Sequence, residues 1–158
     1  MLSVVVQIDV SPFARALDAM DGALETVLPA AVGQASDEFA VEARNAAPTG
    51  KSRSLRNSIL PLGIEGSWEG DDLSGGAGAG APHALYVEEG TRDHWVRPRF
   101  RTALAWEVEG GFAFSRGHVV RGIEARHFMA GALEAYRPRF EIVIGDGVRL
   151  AARLAGFA

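Results

Sequence analysis

The 158-residue chain contains no cysteine. Disulfide frameworks, thiolate metal sites and cysteine nucleophiles are excluded together, and the composition suits assembly in a reducing cytoplasm. No segment approaches the ~18 apolar residues needed to span a bilayer. The start, Met1-Leu2-Ser3-Val4-Val5-Val6, lacks the basic residues and long apolar run of a signal peptide. A basic excess is missing too: 16 Lys and Arg face 20 Asp and Glu, a net charge of −4 that argues against a general nucleic-acid binder. These absences lead to the expectation of a soluble protein, made where it works, with no membrane contact. What is plentiful is glycine, 19 residues gathered mainly in loops. A chain of this length that is 47% hydrophobic and 23% charged can build one domain, residues 1–158, around a real core.

Hydrophobic periodicity orders the elements. Residues 1–10 alternate as a strand, with Val4, Val6 and Ile8 on one face. Ser11-Pro12 then starts a helix, a capping hydroxyl followed by a ring whose missing N–H costs nothing in the first turn. Phe13, Leu17, Met20, Leu24, Val27, Ala31, Ala35 and Phe39 recur at steps of three and four, which predicts an amphipathic helix over 11–47, kinked or split at Pro29. That stripe is longer than a small sheet needs, so part of it is expected to face a neighbouring subunit. A short strand over 58–64 is weakened by Pro61. Residues 63–80, with Gly75-Gly76-Ala77-Gly78-Ala79-Gly80, read as a flexible glycine-rich loop, or else as an edge strand close to another backbone. Ala84 to Val87 is an apolar cluster leading into a turn at Glu88-Glu89-Gly90-Thr91. A hairpin is expected over 102–116, turning at Glu109-Gly110-Gly111, and a helical segment over 127–154, where Pro138 could begin a second helix. The order gives an α+β fold, a long N-terminal helix and a C-terminal helix packed on an antiparallel sheet with an extended hairpin.

Several motifs invite a chemical reading and then fail it. Pro48-Thr49-Gly50-Lys51-Ser52 ends like a phosphate-binding loop, but Asn45 stands where that loop needs its first glycine. A predicted helix also precedes it, where a strand is required. The histidines, His83, His94, His118 and His127, have no pair at the short spacing that sets two imidazoles on one helical face, so surface or interface roles are the default. No Gly-x-Ser-x-Gly elbow occurs. No catalytic, cofactor or metal residues are therefore assigned. Arg97-Pro98-Arg99-Phe100-Arg101 is basic with an aromatic inside it. It could touch DNA phosphates, although such runs more often form a solvated face or an ion-pair partner between subunits. A small nucleotide-binding or hydrolytic enzyme using Lys51 and Ser52, and a DNA-binding accessory protein, stand as the alternatives.

Three blocks in order carry a resemblance. The first is Ala47-Pro48-Thr49-Gly50 followed by Ser54-Leu55-Arg56-Asn57-Ser58-Ile59. The second runs from His83-Ala84-Leu85-Tyr86-Val87 through Glu88-Glu89-Gly90-Thr91-Arg92. The third runs from His118 to Gly122, then Arg126-His127-Phe128-Met129-Ala130-Gly131-Ala132-Leu133. Together they resemble the minor tail, neck or tail-completion family of long-tailed phages, related in fold to the lambda tail protein Z. The likeness covers roughly residues 35–136. Glu89 departs from the family's usual aromatic, and His127 and Gly131 stand where prolines are common.

The resemblance implies a structural virion protein at the head–tail junction, assembled in the bacterial cytoplasm, with no cofactor. Its partners would be copies of itself in a ring of six, a head-side connector or stopper, and tail-terminator or tail-tube proteins. DNA would pass only as cargo in the channel. The residues expected to matter are structural or interfacial. Tyr86, Glu88, Gly90 and Thr91 would form a turn that fixes the sheet, with Gly90 at positive φ and Thr91 capping amides. Arg97 and Arg99 would lie on an interface, Trp106 and Phe112 on a contacting hairpin, and Phe128 and Leu133 would anchor the last helix.

Overall fold

The computed structural model describes residues 11–50, 53–67 and 72–157. The strand expected over 1–10 and the pair Lys51-Ser52 lie outside them. In chain order the elements are α1 Ser11–Ala46, α2 Ser54–Asn57, β1 Ile59–Ser67, β2 Asp72–Ala79, α3 Ala84–Glu89, β3 His94–Val96, β4 Leu104–Val108, β5 Gly111–Ser115, β6 His118–Val120 and α4 Phe128–Leu154. This is an α+β fold whose strands pair as β1-β2, β3-β6 and β4-β5, each pair antiparallel. One domain was expected, yet contacts gather the chain into two compact units: residues 1–81 with 129–158, and residues 82–128. The physical reason is visible in the pairing. Among the described residues no ladder joins the first sheet to the other two, so each unit closes its backbone bonds by itself.

In the first unit α1 lies on the β1-β2 sheet and runs unbroken through Pro29. Proline costs the helix one bond without ending it, because the flanking turns and tertiary packing hold the direction. The buried line consists of Leu28, Ala31, Ala35, Ala40, Ala43 and Ala47, with Leu17 left 47% exposed. Along the described part of the stripe, full burial begins at Leu28, while Met20, Leu24 and Val27 are half-buried. Alanine dominates because the sheet comes close. A Cβ on Gly75 of β2 would collide with Ser36 Oγ and sit 2.9 Å from Val32 Cγ1. Of the two readings of the glycine tract, a flexible loop or an edge strand close to another backbone, the described residues show a strand: Gly75 to Ala79 lie in β2, and the glycines permit it to lie against α1. Pro61 is tolerated because β1 has one ladder partner and a free edge.

The last turn of α1 is closed by arginines. Arg56 Nε donates to the Ala47 carbonyl at 2.8 Å and its Nη2 to the Asn45 carbonyl at 3.2 Å. Arg44 Nε reaches the Ile59 carbonyl at 3.0 Å. These cations sit where the helix dipole and its unpaired carbonyls are most negative. Leu55 and Ile59 are buried beside them, Ile59 completely.

α4 continues through Pro138, so no second helix starts there. Its buried side is Phe128, Ala132, Tyr136, Val143 and Ala151, at steps of four and multiples close to helical turns. Leu133, expected from the sequence to anchor the helix, falls off that line and is 50% exposed. Against α1, Tyr136 and Val143 pack with Ala31, Ala35, Phe39 and Ile144. Gly147 marks the closest approach: a Cβ there would stand 3.1 Å from Ala31 Cβ.

The second unit is tied together by a strap. Arg126 N donates to the Val87 carbonyl and His127 N to the Glu88 carbonyl, while Thr91 N donates to the Ile123 carbonyl at 2.8 Å. Residues 84–89, read from the sequence as an apolar cluster leading into a turn, form the short helix α3. Helical geometry lets the Val87 and Glu88 carbonyls at its end accept from the strap.

Candidate assembly surface

Gly90 ends α3 at φ 75, a conformation that L side chains rarely adopt. A Cβ there would also press within 2.6 Å of the Ile123 carbonyl oxygen. Thr91 Oγ1 accepts the Ile123 amide at 3.0 Å, and Asp93 Oδ1 accepts the Gly122 amide at 2.8 Å. Tyr86 projects from α3 and is 55% exposed. Glu88 lies on the same helix, half-buried, and its carbonyl takes part in the strap. This corner is a structural joint, with its polar groups used on backbone.

The β4-β5 hairpin turns at Glu109-Gly110, with Val108 opposite Gly111. Directly opposed residues share a face of an antiparallel pair. Trp106 and Val108 therefore share one face with Ala113, while Glu107 and Ala105 share the other with Phe112 and Phe114. On the first face Trp106 meets His118, ring centroids 5.1 Å apart. The second face is bare, with Phe112 and Phe114 67% and 71% exposed. The two-residue turn sets Phe112 and Phe114 on the side opposite Trp106. Arg97 and Arg99 are exposed, and the Arg99 guanidinium lies 5.6 Å from the centre of the Phe100 ring, which is itself almost fully exposed.

In the first unit α1, β2 and α4 enclose an open groove of about 610 Å³. Phe39, Leu62, Leu73, Leu133 and Phe140 form its walls, and Gly75-Gly76-Ala77 its floor. The small floor residues leave the volume unfilled. Arg137 is the charged residue in the lining; it pairs at 3.5 Å with Glu134 in an exposed, weak ion pair.

Beside the groove, Glu38 of α1 gathers three donors: Gln34 Nε2 at 2.8 Å, Arg139 Nε at 3.1 Å and the Tyr136 hydroxyl at 3.2 Å. The bond from Gln34, then that from Arg139, hold the Glu38 carboxyl below its ordinary range. Burial, then the negative charge of Glu38, push the Tyr136 phenol up to about 12. Sequence reasoning passed over this joint, although Glu38 and Gln34 are four apart on one helix face.

Pro48-Thr49-Gly50 follows a helix, so no strand delivers it toward a phosphate. His83 and His94 are exposed, His127 has φ 45, and His118 Nδ1 is buried without a hydrogen-bond partner. Among the described residues no cluster of three or more His, Asp or Glu could hold a metal ion. No helix among them is long and apolar enough to cross a membrane.

An α+β unit with a long helix on a glycine-rich strand pair, followed by a short helix ending in Gly90-Thr91, defines the class. The family model described as "Bacteriophage HK97-gp10, putative tail-component" matches residues 12–90, half of the chain, from α1 to the end of α3. The chain belongs to this HK97-gp10-like family of bacteriophage tail components. No curated protein and no solved structure matches it significantly.

Proposed function

We propose that this protein is a ring-forming structural component at the head–tail junction of a long-tailed phage, a connector or tail-completion protein. Membership of a tail-component family supports a virion protein that works by binding other virion proteins. The observation that carries the finer reading is an inverted distribution of size. The buried apolar set is mostly alanine, with Ile59 the largest fully buried side chain. Phe100, Phe112, Phe114, Trp95, Leu85 and Tyr86 all lie more than half exposed. Soluble monomers seldom leave so many large apolar groups outside, and contiguous ones mark contact surfaces. Such a subunit gains its missing burial from neighbours, at roughly 25 cal/mol per Å² of apolar surface. A closed ring of six copies around the DNA channel satisfies every subunit alike.

Its partners in this reading are sister copies, a head-side connector or stopper, and tail-terminator or tail-tube proteins. The test is disruption of its gene in the phage. Full heads and finished tails should accumulate unjoined, and protein supplied in trans should join them. Normal, infectious particles without the protein would refute the reading.

A further inference from the structure

The chain carries both halves of a contact that it can make with a second copy of itself. One half is the bare hairpin face: Phe112 and Phe114 beside Glu107. The other is the groove between α1, β2 and α4, walled by Phe39, Leu62, Leu133 and Phe140 over a glycine floor. We propose that the β4-β5 hairpin of one copy seats Phe112 and Phe114 in that groove on the next copy, with Glu107 meeting Arg137. The proposal rests on the ring assignment above and names the surfaces that build it.

Three observations argue for this occupant. First, the shapes are opposite: two aromatic rings are about two-thirds exposed, and the groove offers about 610 Å³ beside the small residues Gly75-Gly76-Ala77. Second, the charges are complementary. Between Leu104 and Ser115 the charged residues are Glu107 and Glu109, both acidic, while the groove lining offers one charge, the Arg137 guanidinium. The Arg137–Glu134 pair is 63% and 67% exposed, so exchanging Glu134 for Glu107 costs little. Third, a patch that fits a different patch on an identical molecule makes a heterologous contact, and repetition of such a contact closes a ring when the rotation allows.

The absence of native cysteine makes the test clean. Phe114→Cys and Leu133→Cys are prepared separately in the full chain, both at exposed positions, so folding should be retained and is checked by circular dichroism. The two variants are mixed at high concentration under mild oxidation. The expected result is a mixed disulfide well above the yield of either homodimer, and above a control mixture of Phe114→Cys with Leu17→Cys. Adding Glu107→Arg to the first variant should cut that yield about tenfold. Adding Arg137→Glu to the second should restore it. No excess of mixed disulfide, or no rescue by the paired charge reversal, overturns the proposal. So does an internal disulfide forming first when both cysteines share one dilute chain, because the hairpin would then occupy its own groove. The neck assignment is separable: a failed cross-link with the protein still required for joining heads to tails refutes only the contact.

Discussion

Alkaline titration probes the joint between α1 and α4 through a single group. The Tyr136 hydroxyl donates to Glu38, and burial together with that negative charge raises the phenol from 10.0 to about 12. A group whose folded pKa is raised contributes its stability in full below the unfolded value and loses it as pH climbs through the folded one. Between pH 10 and about 12 the unfolded chain releases the phenolic proton while the native protein keeps it. A shift of about two units corresponds to a loss on the order of 3 kcal/mol across that window. For a urea slope of about 2 kcal/mol/M this lowers the unfolding midpoint by roughly 1–2 M. Few side chains complicate this window, since the chain has one lysine and one other tyrosine, Tyr86. Urea unfolding followed by circular dichroism in steps of pH measures the fall, with Tyr136→Phe as the control. Tyr136→Phe should lose much less over the same window. In a Tyr86→Phe background the phenolate absorbance then reports Tyr136 alone. Parallel losses in the parent and Tyr136→Phe proteins would refute the argument.

The acid side has the opposite sign. The Glu38 carboxyl is depressed, so its contribution is present above the ordinary carboxylate range and fades as pH falls through the folded value; Glu38→Gln should flatten that part of a stability-against-pH curve. Ile59→Ala removes a large side chain with no exposure and should cost about 2–5 kcal/mol in chemical denaturation. Gly75→Val forces a branched side chain onto Ser36 and Val32, and a loss of about 1–3 kcal/mol is expected, with a lower thermal midpoint. Arg56→Ala strips the donors from the end of α1 and should cost about 1–2 kcal/mol by the same assay.

Long-period signals were the legible part of this sequence. The three-four spacing carried α1 to Ala46. Alternation with Glu109-Gly110 placed the hairpin within two residues at its start and one at its end. Punctuation by glycine and proline was less reliable. Pro29 and Pro138 sit inside continuous helices because neighbouring turns and tertiary contacts hold them. The run Gly75 to Gly80 suggested flexibility, but the decisive constraint is steric and nonlocal, the approach of Ser36 and Val32 from a helix some forty residues earlier. The segment 84–89 gave only an apolar cluster before a turn; that it is a helix shows in the strap at 123–127, which donates to the carbonyls of Val87 and Glu88 at its end. The groove was not legible, because its lining joins Phe39 of the α1 stripe to Leu62, Gly75 and Phe140 from three other elements, and which elements meet is a nonlocal fact that no single period records.

The alanine line of α1 also bears on how the protein fares in the infected cell. Alanine releases little free energy on burial, so a lone copy has only a narrow margin over its unfolded ensemble. Partners that bind the native form widen that margin by mass action, while proteases drain copies that open before being captured. Surplus subunits should therefore turn over quickly and incorporated ones persist, a difference that pulse-chase labelling in cells with and without the rest of the particle would reveal. Equal lifetimes in both would mean that the monomer is already secure without its neighbours.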